Sequence, residues 1–288
     1  MKLYSFLLYT IGVLCIVSCQ KGYHPEGVTA PGTGSGSSQK LAKVVNKTQG
    51  SSEASSITFT YDASGKLSYL TRVETDSSNT SVTIGYHYLR NASGYVTDII
   101  TNAISAGTSG AGFPDSLTIH VHYPSAGTAN FDYTINTFTY SGVQFADSTV
   151  YVYAGNTITD IYDYQSIGIT PMSLVSRTQY AYTNSNIVTM KVFQSSAGSM
   201  TLAATYALNY DTQKQGVAVG NDAFLFGLDP TFYNANNLLK VAATDNTGAG
   251  QDFTLTYSYQ YNSNNLPVTG TQTESVSGKK SDLSFTYQ

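Results

Sequence analysis

Two histidines, His120 and His122, stand two residues apart in the run Leu117-Thr118-Ile119-His120-Val121-His122. In an extended chain that spacing turns both imidazoles to one face, which is how a metal site can begin. Zinc needs further ligands, and only His87 and scattered carboxylates such as Asp132 could supply them, so no metal site is expected. Asp98, Asp160, Asp163 and Asp252 fall on or beside alternating runs. Two of them facing each other could act as the acid and base of a glycoside hydrolase, but solvated strand positions are the simpler reading. There is no G-x-S-x-G, H-E-x-x-H or phosphate loop, so neither an enzyme nor a cofactor is expected. The chain has 24 tyrosines and no tryptophan. Most tyrosines should be core rings with a hydroxyl at the edge. Tyr151, Tyr153, Tyr162 and Tyr164 are candidate ligand-facing aromatics, able to stack on sugar rings from an exposed concave face.

Cys19 carries chemistry of another kind. It follows Lys2, an apolar stretch from Leu3 to Val17, and Ser18. That order matches an export signal, and at about 15 residues the stretch is short of the roughly 20 of a spanning helix. A cysteine just after the cut resembles the signal of bacterial lipoproteins, where the thiol is acylated. Cys15, the other of the 2 cysteines, would leave with the leader. The mature chain then has no thiol for a disulfide, a CxxC metal site or a nucleophile. Charged residues make up 11% of the chain, with a formal net charge of −4 and no basic stripe. Nucleic acid is therefore not an expected partner. The expected contact is with a membrane, through the N-terminal lipid, with a glycan or an envelope protein as further candidate partners.

Three regions follow: a signal peptide (1–18), a lipidated Gly/Ser-rich tether (19–40) and a single β-domain (41–288). The tether reads as flexible chain that puts the domain some 25 Å from the membrane. In the domain, apolar and polar residues alternate. Phe253, Leu255, Tyr257, Tyr259 and Tyr261 interleave with Thr254, Thr256, Ser258 and Gln260, and Leu283, Phe285 and Tyr287 with Ser284 and Thr286. Period two marks strands buried on one face. Short turns such as Asp62-Ala63-Ser64-Gly65, Asn91-Ala92-Ser93-Gly94 and Asn262-Ser263-Asn264-Asn265 separate the runs. The fold class is all-β: an antiparallel hairpin meander of about 14–16 strands forming a strongly curved sheet or incomplete barrel. Residues 217–237 break the alternation. Ala223-Phe224-Leu225-Phe226 follows the capping residue Asp222, and a short helical plug near 222–235, filling the hollow of the sheet, is expected.

Tyr61-Asp62-Ala63-Ser64-Gly65-Lys66-Leu67 resembles the core of a YD-repeat, with Tyr261-Asn262-Ser263-Asn264-Asn265-Leu266-Pro267 a degenerate second copy. The whole arrangement is similar to a family of uncharacterised Bacteroidota lipoproteins described as having a porin-like fold. The likeness covers roughly residues 41–288 and comprises the lipoprotein signal, the glycine-rich tether, the Tyr/Thr-rich meander, the late Asn221-Asp222-Ala223-Phe224 segment, and Asn236-Asn237-Leu238. It implies a curved antiparallel sheet and no known activity. Asp115-Ser116-Leu117 and Asp147-Ser148-Thr149 resemble the O-glycosylation acceptor of exported proteins of that phylum, which makes Ser116 and Ser148 candidate modification sites. Gln20-Lys21-Gly22 after the cysteine leaves open which side of the outer membrane the protein faces. The expected role is a lipid-anchored, non-enzymatic structural or ligand-binding module of the cell envelope. A glycan-active hydrolase or lyase and a membrane-spanning barrel are the alternatives.

Overall fold

The computed structural model describes residues 39–105, 116–125, 128–196, 198–214, 224–225 and 234–288. Sixteen strands run in sequence: β1 (Leu41–Thr48), β2 (Ala54–Tyr61), β3 (Leu67–Thr75), β4 (Ser81–Arg90), β5 (Val96–Ser105), β6 (Leu117–His122), β7 (Tyr133–Tyr140) and β8 (Val143–Ala154) form the first half. The second half is β9 (Thr157–Ile167), β10 (Ser173–Thr183), β11 (Asn186–Ser196), β12 (Ser199–Lys214), β13 (Asn236–Asp245), β14 (Phe253–Tyr261), β15 (Pro267–Glu274) and β16 (Lys280–Tyr287). Each pairs antiparallel with its neighbours in sequence, and β1 pairs with β16, so the sheet is a closed barrel rather than an incomplete one. Lys40 and Gln288 add two backbone bonds of 2.9 Å beyond the closing ladder. Closure removes both sheet edges, which would otherwise present unpaired N–H and C=O groups.

One turn design recurs. Asp62, Asp76, Asn91 and Asn262 each open a turn whose fourth residue, Gly65, Asn79, Gly94 or Asn265, has positive φ. The opening side-chain oxygen accepts from backbone N–H groups two and four residues on, as Asn91 Oδ1 does from Ser93 and Tyr95. The Asp62 and Asn262 turns are the two YD-like segments. Asn265 takes the place of glycine because Asn tolerates the left-handed region better than other side chains. The basic residue of the pattern has a use as well: Lys66 Nζ donates to Gly94 O at 3.0 Å, and Lys40 Nζ to Gly65 O at 2.8 Å.

The turn after β2 and its counterparts share one rim, and there a tyrosine latch repeats. Tyr61 donates its hydroxyl to Leu41 O, Tyr123 to Val96 O, Tyr153 to Phe131 O, Tyr182 to Ile158 O, Tyr210 to Ile187 O and Tyr287 to Pro267 O, over 2.7–3.1 Å. Each hydroxyl comes from at or near the end of an even-numbered strand and reaches a carbonyl at or near the start of the preceding strand. Two positions depart: Arg90 Nη2 takes Leu67 O at 2.9 Å, and Tyr261 bonds the Asp211 carboxylate instead. Register shifts fall at Tyr61, Arg90, Tyr153, Tyr182, Tyr210 and Tyr261. A bulge re-aims the side chain beside it, here toward a neighbouring carbonyl. Burial pushes the Tyr61 phenol up to about 12, which keeps it protonated as a donor.

Candidate ligand-binding cup

Directly paired residues share a face of the sheet, so the ladders show which side chains point inward. The inward set is apolar and aromatic: Val44 pairs with Ile57 and Phe285, Phe59 with Leu70, Leu70 with Tyr86, and Ile161 with Tyr151. The outward set includes Lys43, Lys47, Lys191, Lys240 and Asp282, all exposed within strands. Outer-membrane barrels have the reverse arrangement, with an apolar band outside and a polar lumen.

Burial of the inward residues falls from one rim to the other. On β9, Ile158 and Ile161 are buried, Asp163 and Gln165 half-buried, and Ile167 is 49% exposed. On β8, Tyr151 is buried, Thr149, Asp147 and Phe145 are half-buried, and Val143 is 40% exposed. On β4 the series runs from buried Tyr88 through Tyr86 and Ile84 to Val82 at 36%. The latch rim is thus a packed floor and the opposite rim a mouth. Eight strands give an interior that side chains can fill, whereas sixteen enclose more than they fill.

Phe224 and Leu225 are buried, and Phe224 meets the inward-facing Tyr180 edge-on at 6.2 Å. This part of the expected plug therefore lies inside the barrel, as a short turn. Residues 215–223 and 226–233 lie outside the described residues.

The middle of the cup has two unlike walls. On β7–β10, Asn136 is paired with Asp147, Asp147 with Gln165, Thr149 with Asp163, and Asp163 with Ser176, all facing inward. Asp163 accepts Thr149 Oγ1 at 2.9 Å and Ser176 Oγ at 2.6 Å. Burial raises the Asp163 carboxyl despite these bonds, and burial with the nearby Asp163 charge raises Asp147 despite its bond from Gln165. Toward the mouth, Phe138 and Phe145 stack at 5.1 Å. On β14–β16, Tyr257 stacks with Tyr259 at 6.4 Å, and Tyr259 meets Phe285 edge-on at 6.0 Å. Arg72, also inward, is paired with Glu74 on its own strand.

The structure divides the four candidate aromatics. Tyr151 and Tyr153 face the lumen, Tyr153 as a latch. Tyr162 and Tyr164, paired with Val150 and Ser148, face outward, and the Arg177 guanidinium lies 5.5 Å from the Tyr162 ring. Of the carboxylates singled out in the sequence, only Asp163 enters the lumen. Asp160 bonds Arg177 outside, with Nε at 2.9 Å, Asp98 bonds His120 at 2.6 Å, and Asp252 accepts Asp245 N near the mouth. His122 pairs with Asp132 and stacks on Tyr133. Among the described residues no three His, Cys, Asp or Glu side chains converge as a metal site. Ser116 is exposed at the start of β6, and Ser148 faces outward, half-buried, donating to Thr134 O at 3.0 Å. Cys19, the leader and nearly all of the tether lie outside the described residues. Asp147 was missed, although the signal was present: it is in phase with Phe145, Tyr151 and Tyr153 in the two-residue alternation.

A closed, sixteen-stranded, antiparallel up-and-down barrel of porin-like type is what the fold defines. In particular, the chain is similar to a porin-like protein from Bacteroides uniformis, with a TM-score of 0.52 at 9% identity over 86% of this chain and 98% of that one. A porin-like protein from Bacteroides vulgatus matches with a TM-score of 0.43 at 14% identity, over 87% and 99% of the two chains. At such identities the likeness shows the fold alone. No protein-family profile and no curated protein matches the chain.

Proposed function

We propose that this protein is a lipid-tethered, non-enzymatic ligand-binding barrel of the outer membrane, held through Cys19 and taking its ligand into the cup. The observation that carries this reading is the inward turn of the aromatic face, above a packed floor and below a rim where Val82, Val143 and Ile167 are 36–49% exposed. Charged residues at mid-strand on the outside cost about 2–4 kcal/mol each at a bilayer centre for Lys, which favours an aqueous surroundings for the wall. The chain enters β1 at the floor rim, beside Gln288. A flexible tether upstream of Gln39 would hold the domain off the membrane and leave the mouth free to face the aqueous phase.

Labelled fatty acid should be incorporated into the full-length protein and lost in Cys19→Ser, and the Cys19→Ser protein should fractionate without detergent. A Cys19→Ser protein that still partitions into membranes would favour the membrane-spanning alternative. A glycan-hydrolysing activity abolished by Asp163→Asn would favour the enzymatic one.

A further inference from the structure

The rim of the mouth has two unlike halves. On the β1–β4 and β13–β16 side its turns are charged: Glu53 pairs with Lys279, and Asp76, Asp245 and Asp252 accept backbone N–H groups of their own turns. On the β7–β12 side, the stretches 133–146, 164–176 and 192–210 take in the mouth ends of those strands and have no Asp, Glu, Lys, Arg or His. The β9–β10 loop is the tip of this half. Ile169 is 104% exposed, and Ile167, Met172 and Val143 are 39–49% exposed. The tip is a fastened turn, not frayed chain. Thr170 Oγ1 donates to Ile167 O at 2.8 Å and accepts from Ile167 N at 3.0 Å. Gly168 N donates to Gln144 O at 2.7 Å, which ties the loop to the β7–β8 hairpin. Just below, the outer wall continues in the same character: Leu174 is paired with Tyr164, and Leu202 with Phe193, all half-buried. Exposed apolar groups gathered in one place mark a contact surface.

We infer that this half of the rim is a bilayer-docking lip: Ile169 and Met172 enter the boundary between lipid headgroups and acyl chains, with Tyr164 and Phe193 at headgroup level, while the charged half stays in water. Three arguments favour a lipid surface over a protein. The tip is a single protruding hairpin, whereas a stable protein interface takes about 1,200 Å² or more of matched surface. A fluid bilayer has no shape to match and accepts apolar side chains to a depth of about 5–10 Å. The lip also has no charge with which to select a protein partner, and none that resists leaving water. The third argument rests on the tether proposed above. About 20 residues from Cys19 to Gln39 reach up to about 65 Å, beyond the roughly 36 Å that the 11 residues of β9 span. The tether therefore lets the barrel turn its mouth edge down onto the membrane that holds it. A tethered lip meets that surface at high effective concentration, so a few apolar side chains suffice. Docked by one edge, the mouth stays open to the aqueous phase on its charged side.

The chain has no tryptophan, so one introduced indole reports its own surroundings. Ile169→Trp, Met172→Trp and, on the charged half of the rim, Val276→Trp are made in the full-length protein and compared in solution and on phosphatidylcholine vesicles with plain or brominated acyl chains. On vesicles the emission of Ile169→Trp and Met172→Trp should shift to shorter wavelength and be quenched by the brominated lipid. Val276→Trp should do neither. Adding Ile169→Asp to Met172→Trp should abolish both changes, and raising the salt from 0.1 to 0.5 M should leave them intact, because the contact is uncharged. All these side chains are exposed, so melting temperatures should hold within a degree or two. Absence of shift and quenching at positions 169 and 172 overturns the lip, as does equal quenching at 276. A shift that grows with protein concentration and needs no vesicles overturns it in favour of a second copy of the chain. Loss of acyl incorporation at Cys19 would remove the anchor and not the lip, since quenching at 169 on added vesicles is read independently.

Discussion

Tyr182 donates its hydroxyl to the carbonyl of Ile158 across 2.9 Å, tying the end of β10 to the start of β9 beside a register shift between Ala181 and Tyr182. Ile158 is 2% exposed, so no solvent replaces that donor. Tyr182→Phe removes one hydroxyl and leaves a buried carbonyl with an unused lone pair. The expected loss is about 1–2 kcal/mol, read from denaturant midpoints. Tyr153→Phe should cost a similar amount through Phe131 O. A double variant should depart from additivity, because Tyr153 stands directly opposite Ile158, whose carbonyl accepts the Tyr182 hydroxyl.

Phe224 places its ring against Tyr180 inside the barrel. Phe224→Ala should destabilise by about 3 kcal/mol or more through the cavity it leaves. Val276→Ala, at a side chain 46% exposed near the mouth, should stay within about 0.5 kcal/mol. Equal melting temperatures for the two variants would mean that the 224–225 turn is not part of the core.

The two lumen aspartates set a pH dependence of definite sign. Both carboxyls are raised above the ordinary value of 3.8, mainly by burial. The folded state therefore holds these protons more tightly than the unfolded chain does. Their contribution is fully present below the ordinary carboxylate value and is lost as pH rises through the folded one. Asp147→Asn should accordingly raise the melting temperature at pH 7 and make no difference at pH 3, as parallel calorimetric scans would show. Asp62, Asp76 and Asp245 act in the opposite sense. Turn hydrogen bonds, led by those from Ser64, Ser78 and Thr247, hold them below the ordinary value, so what they add is lost on acidification.

Gly94 has φ +79 at the fourth position of its turn. Gly94→Ala forces an alanine into the left-handed region at about 1–2 kcal/mol. The Lys66 ammonium beside it can move away, so the added methyl contributes little more. Asn265→Gly at the equivalent position should be nearly neutral. A larger effect at Asn265 than at Gly94 in thermal unfolding would refute the equivalence of these turns.

Much of the architecture was legible because antiparallel meanders are local. The alternation of Tyr257, Tyr259 and Tyr261 with Thr256, Ser258 and Gln260 marks a strand with one buried face, and the Asx turns mark where each strand reverses. The YD-like segment at Tyr61–Leu67 joins a latch to an Asx turn, whereas its weak copy at Tyr261–Pro267 keeps the turn and sends its tyrosine to Asp211. The other copies were hidden because the latch needs only a tyrosine at a strand end, and its acceptor is a backbone carbonyl that no side-chain pattern records. Tyr151 and Tyr162 were equivalent in the sequence, and only the β8–β9 register separates them, since neighbouring phases on paired strands point to opposite faces.

The order of residues alone determined strand count, turn chemistry and antiparallel sense, all of which depend on contacts between near neighbours. Three things belonged to the tertiary structure: closure of β1 on β16, which joins residues more than two hundred positions apart; the turning of the aromatic face toward the lumen; and the meeting of Asp147 with Asp163. A two-residue period says that a strand has an apolar side, but it cannot say whether that side becomes the inside or the outside of a cylinder. The direction in which the sheet curls settles that choice for every strand at once.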